Sequence, residues 1–300
     1  ERVFKSLENL INKSGIPLQI ISDHGPDLKK AIKDICAIHK SIRFSYDITH
    51  KCGLLLKQNM QSDIRWHRFQ ENYSYTKRKC VHSMFAFLAP MKLQDKSRWM
   101  NLDTCVNWAT KLIGFKENMP QKIQALNLEK KGFSQSFNKK FGWLDGFTES
   151  ISKWSSMLEI ISIARNEVKT NGLCTNTADR FSQRIQMLNY TIRSPSTRSI
   201  INDIYNFLEQ QTQGISFGQK FLGTSDVIES VFAKYKNFSA RTPMKGVGKT
   251  VLTIPVFLSH ITAEKVTEAL KYCPNKNVKQ WLDANIKQSV FAQRTKAFTN

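Results

Sequence analysis

Two acids stand out by their surroundings. In "LQIISDHGPDLKKAI", residues 18 to 32, an apolar run ends on Asp23, a Gly-Pro turn follows, and a helical pattern begins. A carboxylate at the tip of a buried strand costs free energy unless something binds it. In "GTSDVIESVFAKYKNFS", residues 223 to 239, Glu229 lies on a helix that Ser225 or Asp226 can cap. The apolar side of that helix is expected to be Val227, Ile228, Val231 and Tyr235, with Lys236 nearly superposed on Glu229 along the other side. A strand-end Asp and a helix-borne Glu can share divalent cations if the fold brings them together. Two Mg²⁺ ions about 4 Å apart, for which Mn²⁺ can substitute, would activate water or a 3′-hydroxyl for in-line phosphoryl transfer. Taken singly, each acid is more often a cap or a surface charge, so the inference rests on the pair.

The elements that must position these acids follow from the hydrophobic pattern. Val3, Leu7, Leu10 and Ile11 have the spacing of one helical face, which Gly15 and Pro17 terminate. "LQIIS" reads as a short buried strand, and Leu28, Ala31, Ile32 and Ile35 mark a second amphipathic helix. "IRFSYD", residues 42 to 47, reads as another strand ending on an acid, Asp47. Strand, helix and strand in so short a span predict a βαβ unit with parallel strands. Asp23 and Asp47 then fall at the carboxyl ends of the strands, where open α/β sheets bind ligands. Asp47 and His50 are candidates to support the site, although either can instead cap the helix that starts near Thr49.

From His50 to about Lys220 the pattern is helical, with breaks at "LAPM", "ENMPQ", "NTAD" and "RSPSTR". The tryptophans of this stretch are expected in the core. "FGWLDGF", residues 141 to 147, is a weaker candidate for a loop whose Trp143 stacks on an unpaired base. "TVLTIPVF" reads as a short extended segment, and two further helices follow it.

The charge narrows the partners. The 300 residues carry 45 Lys and Arg against 24 Asp and Glu, a net charge of +21, spread among 41% hydrophobic and 11% aromatic positions. That describes a folded basic protein whose field favours polyanions, nucleic acid before anionic membrane. No apolar run reaches the roughly 20 residues of a membrane helix, and "ERVFKSLENL" lacks the apolar stretch of a signal peptide. The six scattered cysteines suit reduced thiols in a cytosolic protein, and Cys80 with His82 is a poor zinc pair. "GVGKT", residues 246 to 250, is no phosphate loop, because Pro243 stands where the motif needs glycine and no helix follows.

Taken in order, "IISDHGPDLKKAI", "YDITHK", a long helical stretch and "SDVIESVFAKYK" resemble the bacterial insertion-sequence transposases of the DDE class, in the ribonuclease H-like (retroviral integrase) superfamily. The resemblance implies an α/β fold, a partial ribonuclease H-like core interrupted by a large, mostly α-helical insertion. Residues 1–50 would belong to the core, 51–220 to the insertion, and 221–300 to the return to the core and a helical tail. Asp23 would end the fourth strand of that core as the second catalytic acid, and Glu229 would be the third, both of them metal ligands.

Glu229 and Lys236 match the Glu-x6-Lys half of a signature found in some of these enzymes, with Lys236 on a DNA phosphate. Leu222 and Ser225 stand where that signature has Tyr and Arg. The family's first Asp, on a preceding β-meander, is expected upstream of Glu1. The function implied is metal-dependent cleavage and strand transfer of double-stranded DNA, by a homodimer or higher synaptic assembly, at the nucleoid in the bacterial cytoplasm. A non-catalytic DNA-binding remnant or domesticated derivative is the alternative, and a nuclease acting on RNA or junctions would use the same acids.

Overall fold

The computed structural model describes residues 1–23, 25–94, 99–128, 131–188, 194–239, 254–258, 260–286 and 290–298. By its internal contacts the chain divides into two compact units, Glu1–Thr224 and Ser225–Asn300.

The first unit opens with the βαβ arrangement. Helix α1 (Arg2–Ser14) ends on Gly15, whose φ of 85° is open to glycine and whose N–H closes the last turn on Ile11 O. Strand β1 (Gln19–Ser22) leads through Gly25 and Pro26 into α2 (Pro26–Ile38), and β2 (Arg43–Tyr46) follows. The strands pair in parallel, Gln19 with Arg43 through Ser22 with Tyr46. Phe4, Leu7 and Ile11 of α1 pack with Ile35 and Cys36 of α2, Ile20 of β1 and Ile42 in a small core of their own. Leu10, expected on the same face, is 58% exposed.

The rest of the unit is helical: α3 (Ile48–Met60), α4 (Ile64–Cys80), α5 (Leu102–Glu117), α6 (Met119–Ala125), α7 (Phe133–Phe141), α8 (Thr148–Asn171), α9 (Thr177–Gln186) and α10 (Pro195–Thr212). One large core runs through them and includes Tyr46 of β2. The boundary expected at residue 50 therefore falls inside a continuous helix, α3, whose Cys52, Leu55 and Leu56 belong to that core. Its centre is aromatic. Phe69 meets Trp143, Phe147 and Trp154 edge-on at 5.3 to 5.5 Å, the orientation ring quadrupoles favour. The segment 142–147 is a short 3₁₀ helix, and Trp143 donates its indole N–H to Thr76 Oγ1 at 2.9 Å. Trp143 is thus partly buried against the core and held by Thr76. Buried Glu167 of α8 accepts from Arg180 Nε of α9 at 2.6 Å and lies 3.1 Å from Arg184 Nε, so its charge is matched.

After α10 the chain returns to the sheet. Phe221 and Leu173 exchange backbone hydrogen bonds of 2.7 and 2.9 Å. Leu222 exchanges two more with the side-chain amide of Gln19, at 2.6 and 3.0 Å. Gly223 O accepts from Ile48 N at 2.9 Å. Arg43 closes the same region by donating to the carbonyls of Gln211 and Gln213 at the end of α10, where a cation suits the helix dipole.

The ribonuclease H-like core expected from the resemblance is absent among the described residues. Their sheet has two strands only, so β1 is not the fourth strand of anything described. The return segment does not extend the sheet, because Leu222 bonds to the Gln19 side chain rather than to strand backbone. What stands is a mostly helical fold with a two-stranded parallel sheet.

The second unit contains α11 (Asp226–Ser239), α12 (Ala263–Tyr272), α13 (Asn275–Asn285) and α14 (Val290–Phe298). Of the apolar side expected on α11, Val231 is buried, whereas Val227 and Ile228 are more than half exposed. Pro255–Leu258 forms a 3₁₀ turn where an extended segment was expected, since proline's fixed φ suits a first helical position. The "GVGKT" segment lies outside the described residues.

The return segment makes a specific demand at Gly223, where a Cβ would overlap Val168 Cγ1 and lie 3.0 Å from Leu173 Cγ. Gly223→Ala is expected to lower stability by about 1–3 kcal/mol through overpacking. Gly142→Ala, at a helical φ of −60° with open space around it, should leave stability unchanged or raise it by up to about 1 kcal/mol. Urea unfolding of both variants checks the contrast.

Candidate functional site

The parallel register places the two strand-end acids side by side. Ser22 pairs with Tyr46, and Asp47 N donates to Ser22 O at 3.1 Å, so Asp23 and Asp47 leave adjacent strand ends together. Each acid also precedes a helix N-terminus, Asp23 that of α2 and Asp47 that of α3. The positive ends of both helices favour carboxylates in this position.

The two acids nevertheless do different work. Asp47 is fully buried, and its Oδ1 accepts from Thr49 N at 2.6 Å and His50 N at 3.0 Å. It is the cap of α3, and one of its oxygens is committed to that role. Asp23 is about half exposed, at 48% of its side chain, so the premise of a carboxylate buried at a strand tip does not hold. No desolvation cost demands a bound cation there. The β1 side chains before it are themselves only partly covered until Ser22.

His50, in the first turn of α3, brings its Nε2 to 3.8 Å from Asp23 Oδ2. That is beyond hydrogen-bond length and within ion-pair range for a protonated imidazole. Tyr46, which sequence reasoning did not single out, completes the group. Its ring meets Phe207 of α10 edge-on at 5.8 Å, and its hydroxyl is raised above the usual tyrosine range by burial, then by the charges of Asp23 and Asp47. Alternation in "IRFSYD" groups Tyr46 with Ile42, which packs with α1 and α2, so its place against Phe207 was not legible from the sequence. Asp23 and His50 are thus an accessible acid and base at the sheet end, resting on a buried layer of Asp47 and Tyr46. At 3.8 Å the pair is in ion-pair range when the imidazole is protonated.

Glu229 and Lys236 are both exposed on α11, in the second unit. Glu229 lies in the first turn of its helix, and its N–H bonds to Ser225 O at 3.1 Å. Among the described residues no group of three or more His, Cys, Asp or Glu side chains gathers as a set of metal ligands. All six cysteines are free, and Cys80 is buried while His82 is exposed. Among the described residues no helix is long and apolar enough to cross a membrane. No family model, no curated protein and no solved structure matches the chain.

The division of labour between the strand-end acids is measurable. Asp47→Ala should cost about 1–2 kcal/mol by removing the cap of α3. Asp23→Ala, on an exposed side chain, should stay within about 0.5 kcal/mol of the parent. Denaturation midpoints of the two variants test this, and a larger loss at Asp23 would make it a structural acid.

Proposed function

We propose that the chain is part of a DDE-type DNA transposase, in which Asp23 and Glu229 are metal-binding acids of a phosphoryl-transfer site. The observation that carries this reading is the return of the chain to the strand ends. Leu222 is bonded to the side chain of Gln19, the first residue of β1, Gly223 is bonded to Ile48 next to Asp47, and Glu229 follows Thr224 by five residues. In sequence, the helix that carries Glu229 therefore begins just after the returned segment. The reading takes from the resemblance its acids and their order, not its ribonuclease H-like sheet.

Asp23, accessible beside two helix N-termini, would hold Mg²⁺ or Mn²⁺ through carboxylate oxygen, and Glu229 would share the pair of ions. Oxygen donors of this kind suit both metals. The metals would activate the attacking oxygen and stabilise the leaving one. His50 would orient Asp23 from 3.8 Å, and Asp47 would act only by holding α3 in place. Lys236 would meet a phosphate of the bound strand. A homodimer or larger assembly would hold paired DNA ends at the bacterial nucleoid. The net charge of +21 supports DNA as the partner, as it also supports a non-catalytic DNA-binding derivative.

Cleavage assays separate these two. Asp23→Asn and Glu229→Gln are each expected to abolish Mg²⁺-dependent cleavage of end-bearing DNA while leaving DNA affinity within about twofold, since each removes a ligand charge and little shape. Cleavage by Glu229→Gln at the parent rate would reject the assignment, and cleavage by none of the proteins would favour the binding derivative. Binding itself should be steeply salt-dependent, falling about 10³- to 10⁵-fold between 50 and 200 mM salt if six to ten phosphates are contacted. A titration indifferent to salt would remove DNA from consideration.

A further inference from the structure

A second surface of the first unit carries its own chemistry. The C-terminal ends of α4 and α7 converge on a cavity of about 430 Å³ whose lining includes Tyr75, Lys79, Ser83, Phe85, Lys139 and Lys140. The spacing in α7 builds it. Phe133, Phe137 and Phe141 fall on one face and pack around buried Phe85 at 5.0 to 6.2 Å, which fixes the helix and turns Lys139 and Lys140 toward the end of α4. Lys79 and Tyr75 stand one turn apart on α4, with the Lys79 ammonium 5.7 Å from the Tyr75 ring centre.

The lining contains three lysines and no carboxylate. Two other clefts differ, one containing Asp63 and Glu149 and another Asp179 and Glu209. Lys140 is held by neutral acceptors alone, Lys79 O at 2.7 Å and Ser83 Oγ at 3.0 Å. An ammonium has three N–H donors, so this arrangement fixes the cation in place without neutralising it. Among the described residues Lys79 and Lys139 have no carboxylate partner either. Basic residues in the last turn of a helix commonly answer its dipole. That explains each helix end by itself, but not a shared cavity with three cations, an exposed ring at its rim and no acid.

We propose that this cavity is a subsite for an unpaired DNA strand, with Lys79, Lys139 and Lys140 on backbone phosphates and the 55%-exposed ring of Tyr75 stacked on a base. The inference rests on DNA as the partner and names where, and in which form, one strand is held. Lysine ammonium groups are point charges that track phosphates, and a tyrosine face stacks on any base, so the subsite has little sequence preference.

The test is fluorescence anisotropy of the whole chain with a labelled oligothymidylate and with a blunt duplex of equal length, over a series of salt concentrations. Removing two phosphate contacts in the double variant Lys79→Gln/Lys139→Gln should reduce the slope of log affinity against log salt by about 1.4 on the single strand. Tyr75→Ala should weaken single-strand binding about 5- to 150-fold with less effect on the duplex, and Tyr75→Phe should restore it. Circular dichroism of the variants should match the parent, because all three side chains are exposed at the surface. An unchanged slope beside salt-sensitive parent binding overturns the subsite and leaves DNA as the partner. Equal weakening of both probes by Tyr75→Ala overturns the stacking role. No binding of either probe by the parent chain overturns subsite and partner together, whereas loss of cleavage activity alone bears on neither.

Discussion

The closest constraint in the first unit is the lack of room at Gly223. The return segment passes between α3 and the Val168–Leu173 end of α8, and only a residue without Cβ fits there. Its carbonyl then reaches Ile48 N, while its neighbours engage Gln19 and Leu173. Around that point the arrangement becomes mutually determined. The same few residues adjoin the start of α3, next to its cap Asp47, and the first residue of β1. Gly172 supports it from the other side, with a φ of 72° and a Cβ position 2.7 Å from Phe221 O. Packing density, more than any single strong bond, therefore holds the candidate site in register.

Much of the local structure was legible in the sequence because it depends on near neighbours. Gly15 and Pro17 stop α1, the alternation in "IRFSYD" makes a strand, and an Asp before Ile48 is a cap. What was not legible depends on distant partners. Asp23 looks buried because it follows apolar residues, but β1 lies in a two-stranded sheet and stays partly covered. The glycines around Trp143 suggest a loop, but Thr76 on α4 and the rings of Phe69 and Phe147 make that stretch part of the core. The apolar spacing of Val227 and Ile228 predicts a helix correctly and their burial incorrectly, since periodicity shows which residues share a face and not what meets that face.

The basic residues are likewise informative only once placed. In the sequence, "YTKRK" and "NKK" are ordinary helical segments of a chain with many cations. Folding separates those that answer carboxylates, such as Lys116 on Asp145 at 2.7 Å, from those gathered where no acid is present. A large net charge attracts nucleic acid over long distances, whereas an unmatched cluster beside an exposed ring determines where a strand rests.

The bond between Ile48 N and Gly223 O has one more consequence. The points at which the chain leaves the βαβ unit and comes back to it are neighbours in space, so everything between them forms a closed excursion whose ends coincide. Extending such an excursion costs little closure entropy, because the penalty grows only with the logarithm of its length. Added length inside that excursion therefore costs the strand ends little, whereas α8 and α10, which meet Gly223, Arg43 and Tyr46, are fixed parts of its frame.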